Sequence, residues 1–138
     1  MVKIKVTAKW VENVCSVAEN SRCNKVVMDL GTASGGDNKG PSALEVAIMS
    51  LTDCAITIFA NVCKQSNVEL SKMEVEAEAE KPAGSPIISG VKLKVKLAAK
   101  ARKQKLEAIW RRIEASCSVV FIFQENIPIN IEVKTISE

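Results

Sequence analysis

Most of the chemistry available to this chain lies in five cysteines, Cys15, Cys23, Cys54, Cys63 and Cys117. There is no histidine. That excludes Ser-His-Asp and Cys-His nucleophile activation within the chain, and with it any histidine-ligated metal. No two cysteines form a C-x-x-C pair, so zinc-ribbon and thioredoxin-type arrangements are absent. One reading of two such cysteines is thiol redox chemistry: a thiolate attacks a peroxide, becomes a sulfenic acid, and is captured by a second thiol as a disulfide. The candidates are Cys54, in Leu51-Thr52-Asp53-Cys54-Ala55-Ile56, and Cys117, in Ala115-Ser116-Cys117-Ser118-Val119. The alternative is that both are small apolar core residues, which is also the reading given to Cys15, Cys23 and Cys63. Cys15 and Cys23 flank a predicted turn and could come close. Cys63 follows Cys54 by nine residues, on the opposite helix face, and should not pair with it.

The hydropathy pattern outlines the elements that must position these residues. Residues 2–10 alternate, with Val2, Ile4, Val6 and Ala8 on one face, which predicts a half-buried strand. Residues 14–18 and 25–30 read as two more strands joined by Glu19-Asn20-Ser21-Arg22. Residues 31–40 are a Gly-rich loop. Pro41-Ser42 opens a long helix to about Gln65, apolar nearly all round from Val46 to Cys63, which predicts burial on most sides. Its length approaches a membrane span, but Ser50, Thr52, Asp53, Thr57 and Asn61 interrupt it, so a buried central helix is expected and no membrane partner.

Residues 73–80 and 91–97 alternate as an antiparallel pair, a Glu row beside a Lys row on a solvated face. A second helix over 101–116 carries the stripe Leu106, Ile109, Trp110 and Ile113, with Cys117 at its next position. Residues 119–123 suggest another helical segment, and Pro128–Ile136 a closing strand. Grouped strands argue for an α+β fold with an antiparallel sheet, in one domain over 1–138. The net charge of +3 is too small to argue for nucleic acid. The start of the chain shows no signal-peptide core, so a cytoplasmic protein with reduced thiols is expected, with no metal and no cofactor.

The run from Gly36 to Cys54, a Gly-rich loop followed by Pro41, Glu45, small residues and Cys54, resembles the OsmC/Ohr family of osmotically inducible and organic-hydroperoxide-resistance proteins. Cys117-Ser118-Val119-Val120 and the Ile-rich stretch after it resemble that family's second cysteine and closing strand. The resemblance implies an OsmC-like fold, an intertwined homodimer with two long central helices at its interface, and thiol-dependent reduction of organic hydroperoxides in oxidative-stress defence. A dithiol reductant would restore the enzyme. By position Cys54 corresponds to the peroxidatic cysteine, Cys117 to the resolving one, and Glu45 to the helix-start Glu that holds a catalytic Arg.

Three departures from the family pattern stand out. The early loop Trp10-Val11-Glu12-Asn13 lacks the family's activating Arg, and Arg22 lies one turn later. Asp53 stands where a small residue is usual. It is expected to raise the Cys54 pKa and to be a buried charge needing a partner, at a dimer interface or against a ligand. Ser118 stands where Pro is usual. Glu45 and Cys54 differ by nine residues, about 13 Å along a helix and on opposite faces, so Glu45 acts through another group or serves as a first-turn charge. Asp53, Phe59 and Phe121 are the candidate ligand contacts, with Ile56 and Val120 completing apolar surroundings selective for organic peroxides. The rival reading is a non-catalytic module of the same fold that binds a small hydrophobic or acyl-type ligand in the dimer cleft. A third is a purely structural homodimer.

Overall fold

A computed structural model describes residues 1–136. The fold is α+β, with two antiparallel sheets and three α-helices. Its contacts gather into two compact units, Met1–Ser50 with Ala79–Val91, and Leu51–Glu78 with the chain from Lys92 onward. Helix α1 and the two strands of the second sheet run from one unit into the other.

In the first unit, β1 (Val6–Glu12), β2 (Cys15–Asn20) and β3 (Lys25–Met28) form a meander. Ala8 faces Ala18, and Val17 faces Val27. Asn13 turns the chain between β1 and β2 at φ 46°, a left-handed conformation that Asn tolerates better than most residues. The second turn is held by the Asn20 side-chain oxygen, which accepts the N–H groups of Arg22 and Asn24 at 2.9 and 3.0 Å. Cys15 begins β2 and Cys23 sits in the turn beyond its far end, so the two do not meet. Cys15 is buried, whereas Cys23 is exposed at φ 66° and is no packing residue.

The strand expected from residue 2 begins only at Val6, and its apolar face is exposed, with Val2 and Ile4 at 87 % and 89 %. Alternation shows which side chains favour burial; it does not supply a surface to bury them against. The same reason accounts for Pro128–Ile136, which is no strand here. Ile129, Ile131 and Val133 are 83–84 % exposed, and no described strand pairs with that segment.

The Gly-rich loop is built around a residue that its own pattern does not advertise, Asp29, which is 2 % exposed. Its carboxylate accepts the N–H groups of Leu30, Asp37 and Lys39 at 2.8, 3.2 and 3.1 Å. Burial raises its pKa, but those hydrogen bonds and the Lys39 ammonium outweigh burial and hold it below the ordinary value. Two glycines permit close backbone approach: a Cβ on Gly36 would stand 2.0 Å from the Leu30 carbonyl oxygen, and one on Gly40 2.3 Å from that of Val27.

Helix α1 (Ala43–Gln65) starts at a reciprocal cap. The Glu45 N–H donates to the Ser42 hydroxyl at 3.2 Å, and the Ser42 N–H donates to the Glu45 carboxylate at 3.0 Å. The helix ends at Asn67, φ 55°, where the Val68 N–H reaches back to the Cys63 carbonyl at 2.8 Å. Its buried stripe is Leu51, Ala55, Phe59, Val62 and Cys63. Burial on most sides was the expectation, but within the chain only this face is covered; Leu44, Met49, Asp53 and Thr57 are exposed. It is the one described helix long and apolar enough to cross a membrane.

The second sheet pairs β4 (Leu70–Glu80) with β5 (Gly90–Ala99). Glu74, Glu76, Glu78 and Glu80 are exposed on one strand and Lys92, Lys94 and Lys96 on the other, as their alternation predicts. Helix α2 (Lys103–Ser116) and helix α3 (Ser118–Gln124) follow. The core of the second unit joins Ala55, Phe59, Val62 and Cys63 to Val68, Ile109, Ile113 and Cys117.

Gly40→Ala is expected to destabilise the fold by roughly 1–3 kcal/mol, because the clash is with backbone. Denaturant unfolding at fixed protein concentration checks this, and an unchanged midpoint would contradict the close approach.

Candidate active site

The stripe of α1 and the stripe of α2 decide which thiols meet. Cys54 lies beside Ala55 on α1 and packs against the core from its edge. Cys117 lies one helical turn beyond Ile113 and is 1 % exposed. It is also a joint: its N–H closes α2 on the Ile113 carbonyl at 2.9 Å, and its carbonyl accepts the Phe121 N–H at 3.3 Å to open α3. Its backbone is extended there, φ −76° and ψ 109°, which lets the chain turn between the helices without losing the thiol from the core.

The two sulfurs are 2.6 Å apart. Both are free thiols. No other pairing of the five cysteines is formed: Cys63 is buried and free in the same core, with its pKa raised by that burial.

Five influences act on the Cys54 thiol. Burial pushes its pKa up, the Cys117 hydrogen bond and nearby Cys117 charge push it further, and Asp53 adds to the rise. The Val119 backbone N–H opposes them by hydrogen bonding to the sulfur. The net direction is upward. Val119 is the group that motif reading overlooks, because its contribution is backbone; the clue is that it follows closely after a cysteine that ends one helix and begins another.

The remaining candidates are distributed more widely. Asp53 is exposed within the chain and not buried as expected; its carboxylate accepts the Thr57 hydroxyl at 3.5 Å. Phe59, at 1 % exposure, is a centre of the core. Val120 packs against that core, whereas Phe121 is exposed on α3. Glu45 is engaged with Ser42, whose N–H and hydroxyl lower its pKa. Arg22 is exposed in the β2–β3 turn. No cluster able to hold a metal occurs among the described residues. A groove of about 670 Å³ opens in the second unit, lined by apolar Phe59, Leu97, Leu106 and Trp110 and by charged Lys103, Glu107 and Arg111, of which Lys103 and Glu107 are paired at 4.0 Å.

Because the net shift is upward, alkylation of Cys54 should increase with pH through a midpoint above the ordinary thiol value of about 8.5. Rates measured by peptide mapping between pH 6 and 10 check this; a plateau already reached at neutral pH would contradict it.

Comparison with known proteins agrees with this architecture. A family profile described as OsmC-like protein matches residues 36–132, which include both thiols. No curated protein matched the sequence. Among solved structures, an OsmC-like protein from Mycoplasma pneumoniae superposes with a TM-score of 0.76 at 12 % identity, over 89 % of this chain and 88 % of that one. An organic hydroperoxide resistance protein OsmC from Legionella pneumophila gives 0.59 at 16 % identity, over 91 % and 92 %. One from Elizabethkingia anophelis gives 0.58 at 15 %, over 91 % of each chain. At such identities these structures speak for the fold, and the profile, covering well over half of the 138 residues, decides the family. The chain belongs to the OsmC-like protein family.

Proposed function

We propose that this protein is a thiol-dependent peroxidase that reduces organic hydroperoxides, with Cys54 as the attacking thiol and Cys117 as the resolving one. The observation that carries the reading is the 2.6 Å separation of two free thiols held by opposing helix stripes. The Cys54 thiolate attacks the outer peroxide oxygen; an S–O bond forms, the O–O bond breaks, and the alkoxide takes a proton to leave as an alcohol. Cys54 is then a sulfenic acid. The Cys117 sulfur attacks it, the S–S bond forms, and hydroxide leaves with a proton as water. An external dithiol returns both thiols. Relatives named as organic hydroperoxide resistance proteins support the reading.

With its pKa raised, Cys54 is a thiolate in only a small fraction of molecules at neutral pH, but each such thiolate is a strong nucleophile. The Val119 N–H is the group in hand that stabilises it. Apolar Phe59 and Val120 nearby favour an organic peroxide over hydrogen peroxide. The protein acts as a homodimer in the cytoplasm, in defence against oxidative stress. Support for the dimer comes from exposed apolar residues that a second copy would cover, Leu44 and Met49 on α1 and Ile129, Ile131 and Val133 in the tail.

The apolar groove beside Arg111 favours a second reading, a module that binds a small hydrophobic or acyl-type ligand. Its apolar lining suits a hydrophobic tail, and Arg111 an anionic head.

One equivalent of an organic hydroperoxide should remove two hydrogens from the intact mass, mapping to a Cys54–Cys117 disulfide, and Cys54→Ser should abolish turnover. Unchanged thiols, or wild-type turnover in that variant, would overturn the peroxidase and favour ligand binding. Sedimentation equilibrium should give twice the 14.9 kDa chain mass; a monomer at micromolar concentration would overturn the dimer.

A further inference from the structure

We infer that the groove between β5 and α2 is a second site, separate from the thiol pair, for a free medium-chain fatty-acid carboxylate with its head at Arg111. The inference rests on the reading of this groove as an acyl-binding site and names its ligand; it does not require the peroxidase.

The walls of the groove belong to one compact unit. Leu93, Val95 and Leu97 alternate along β5 with the exposed Lys92, Lys94 and Lys96, so one face of the strand turns its aliphatic side chains into the groove. Of the three, only Leu97 packs against the core; Leu93 and Val95 are half-buried beyond it. Leu106 and Trp110, one helical turn apart on α2, supply the other wall. A concave space of this kind favours an apolar occupant. Neither Cys54 nor Cys117 lines it, so an occupant here is not placed for attack by a thiol. The apolar residues that support the dimer, on the outer face of α1 and in the tail, do not line it either.

Charge selects the head. Lys103, Glu107 and Arg111 recur every fourth residue along one edge of α2. Lys103 and Glu107 pair at 4.0 Å and cancel each other. The Arg111 guanidinium makes no ion pair or side-chain hydrogen bond among the described residues. One end of the rim is therefore neutral, and the other carries an unmatched cation whose planar fork fits a carboxylate. The rim from Lys103 to Arg111 runs about 12 Å and the row from Leu93 to Leu97 about 13 Å, the length of an extended chain of about ten carbons. A single anion on a chain of that length is a free fatty acid.

Trp110 lines the groove and reports its occupancy. Trp10→Phe removes the other of the chain's two tryptophans, which is exposed on β1. In that background the full chain is titrated at low salt with micromolar decanoate, and separately with decanol, the neutral chain of the same length, and Trp110 fluorescence is read. Both ligands are expected to give saturable changes. Arg111→Gln should weaken decanoate about fivefold, and Glu107→Gln, which frees Lys103, should tighten it about fivefold, while decanol binding stays constant in both. Cys54→Ser should leave both affinities as they are. Decanoate binding that ignores both rim variants would overturn the carboxylate site and leave a general apolar groove. No fluorescence change with either ligand would overturn the acyl-binding reading itself. Loss of binding in Cys54→Ser would put the ligand at the thiols and overturn the separate site.

Discussion

Burial of Ala55, Phe59, Val62 and Cys63 against Ile109, Ile113 and Cys117 fixes the rotation of α1 about its own axis. Each large apolar side chain withdrawn from water along this seam contributes about 1.5–3 kcal/mol. A rotation of one residue, 100°, would bring Phe59 toward solvent and carry Cys54 away from Cys117. The sulfur pair is therefore a by-product of core packing: the apolar stripes set the register, and the thiols occupy the two positions that the register brings together. Cys117 belongs to both sets, being a core residue by burial and one of the sulfur pair by location.

The surroundings of that pair contain a conflict. Nearly everything beside Cys54 that binds the fold together opposes ionisation of its thiol: the apolar burial, the neighbouring sulfur and the carboxylate of Asp53. One backbone N–H works the other way. The early loop that would carry the family's activating Arg instead holds Glu12 in an ion pair with Lys39, and Asn13 hydrogen bonded to the Gly35 carbonyl at 2.9 Å. Its polar groups serve the Gly-rich loop. Glu45 is likewise occupied, completing a helix cap with Ser42.

How much of this was legible in the chain depended on the kind of force involved. The alternation of β4 and β5 and the stripe of α2 were readable because each is a local choice between water and core. Cys117 at the end of that stripe was readable for the same reason, so the two thiols could be singled out before any geometry. The start of β1 and the Ile129–Val133 alternation were misread, and the outer face of α1 is uncovered within one chain, because a pattern of preferences cannot name the surface that satisfies it. Asp29 and Val119 were missed because their roles run through backbone N–H groups, which every residue but proline carries. The Ser42–Glu45 cap was within reach, since Ser followed three residues later by Glu is a helix-start signature.

The two thiols are 63 residues apart in sequence, although their sulfurs almost touch. A covalent bond between them ties a long loop, removing from the unfolded chain about 4 kcal/mol of conformational freedom in the simplest polymer account. The oxidised protein is then the sturdier of its two forms. Reducing such a bond would have to give that reinforcement back, so the reduced chain would be the one more easily unfolded.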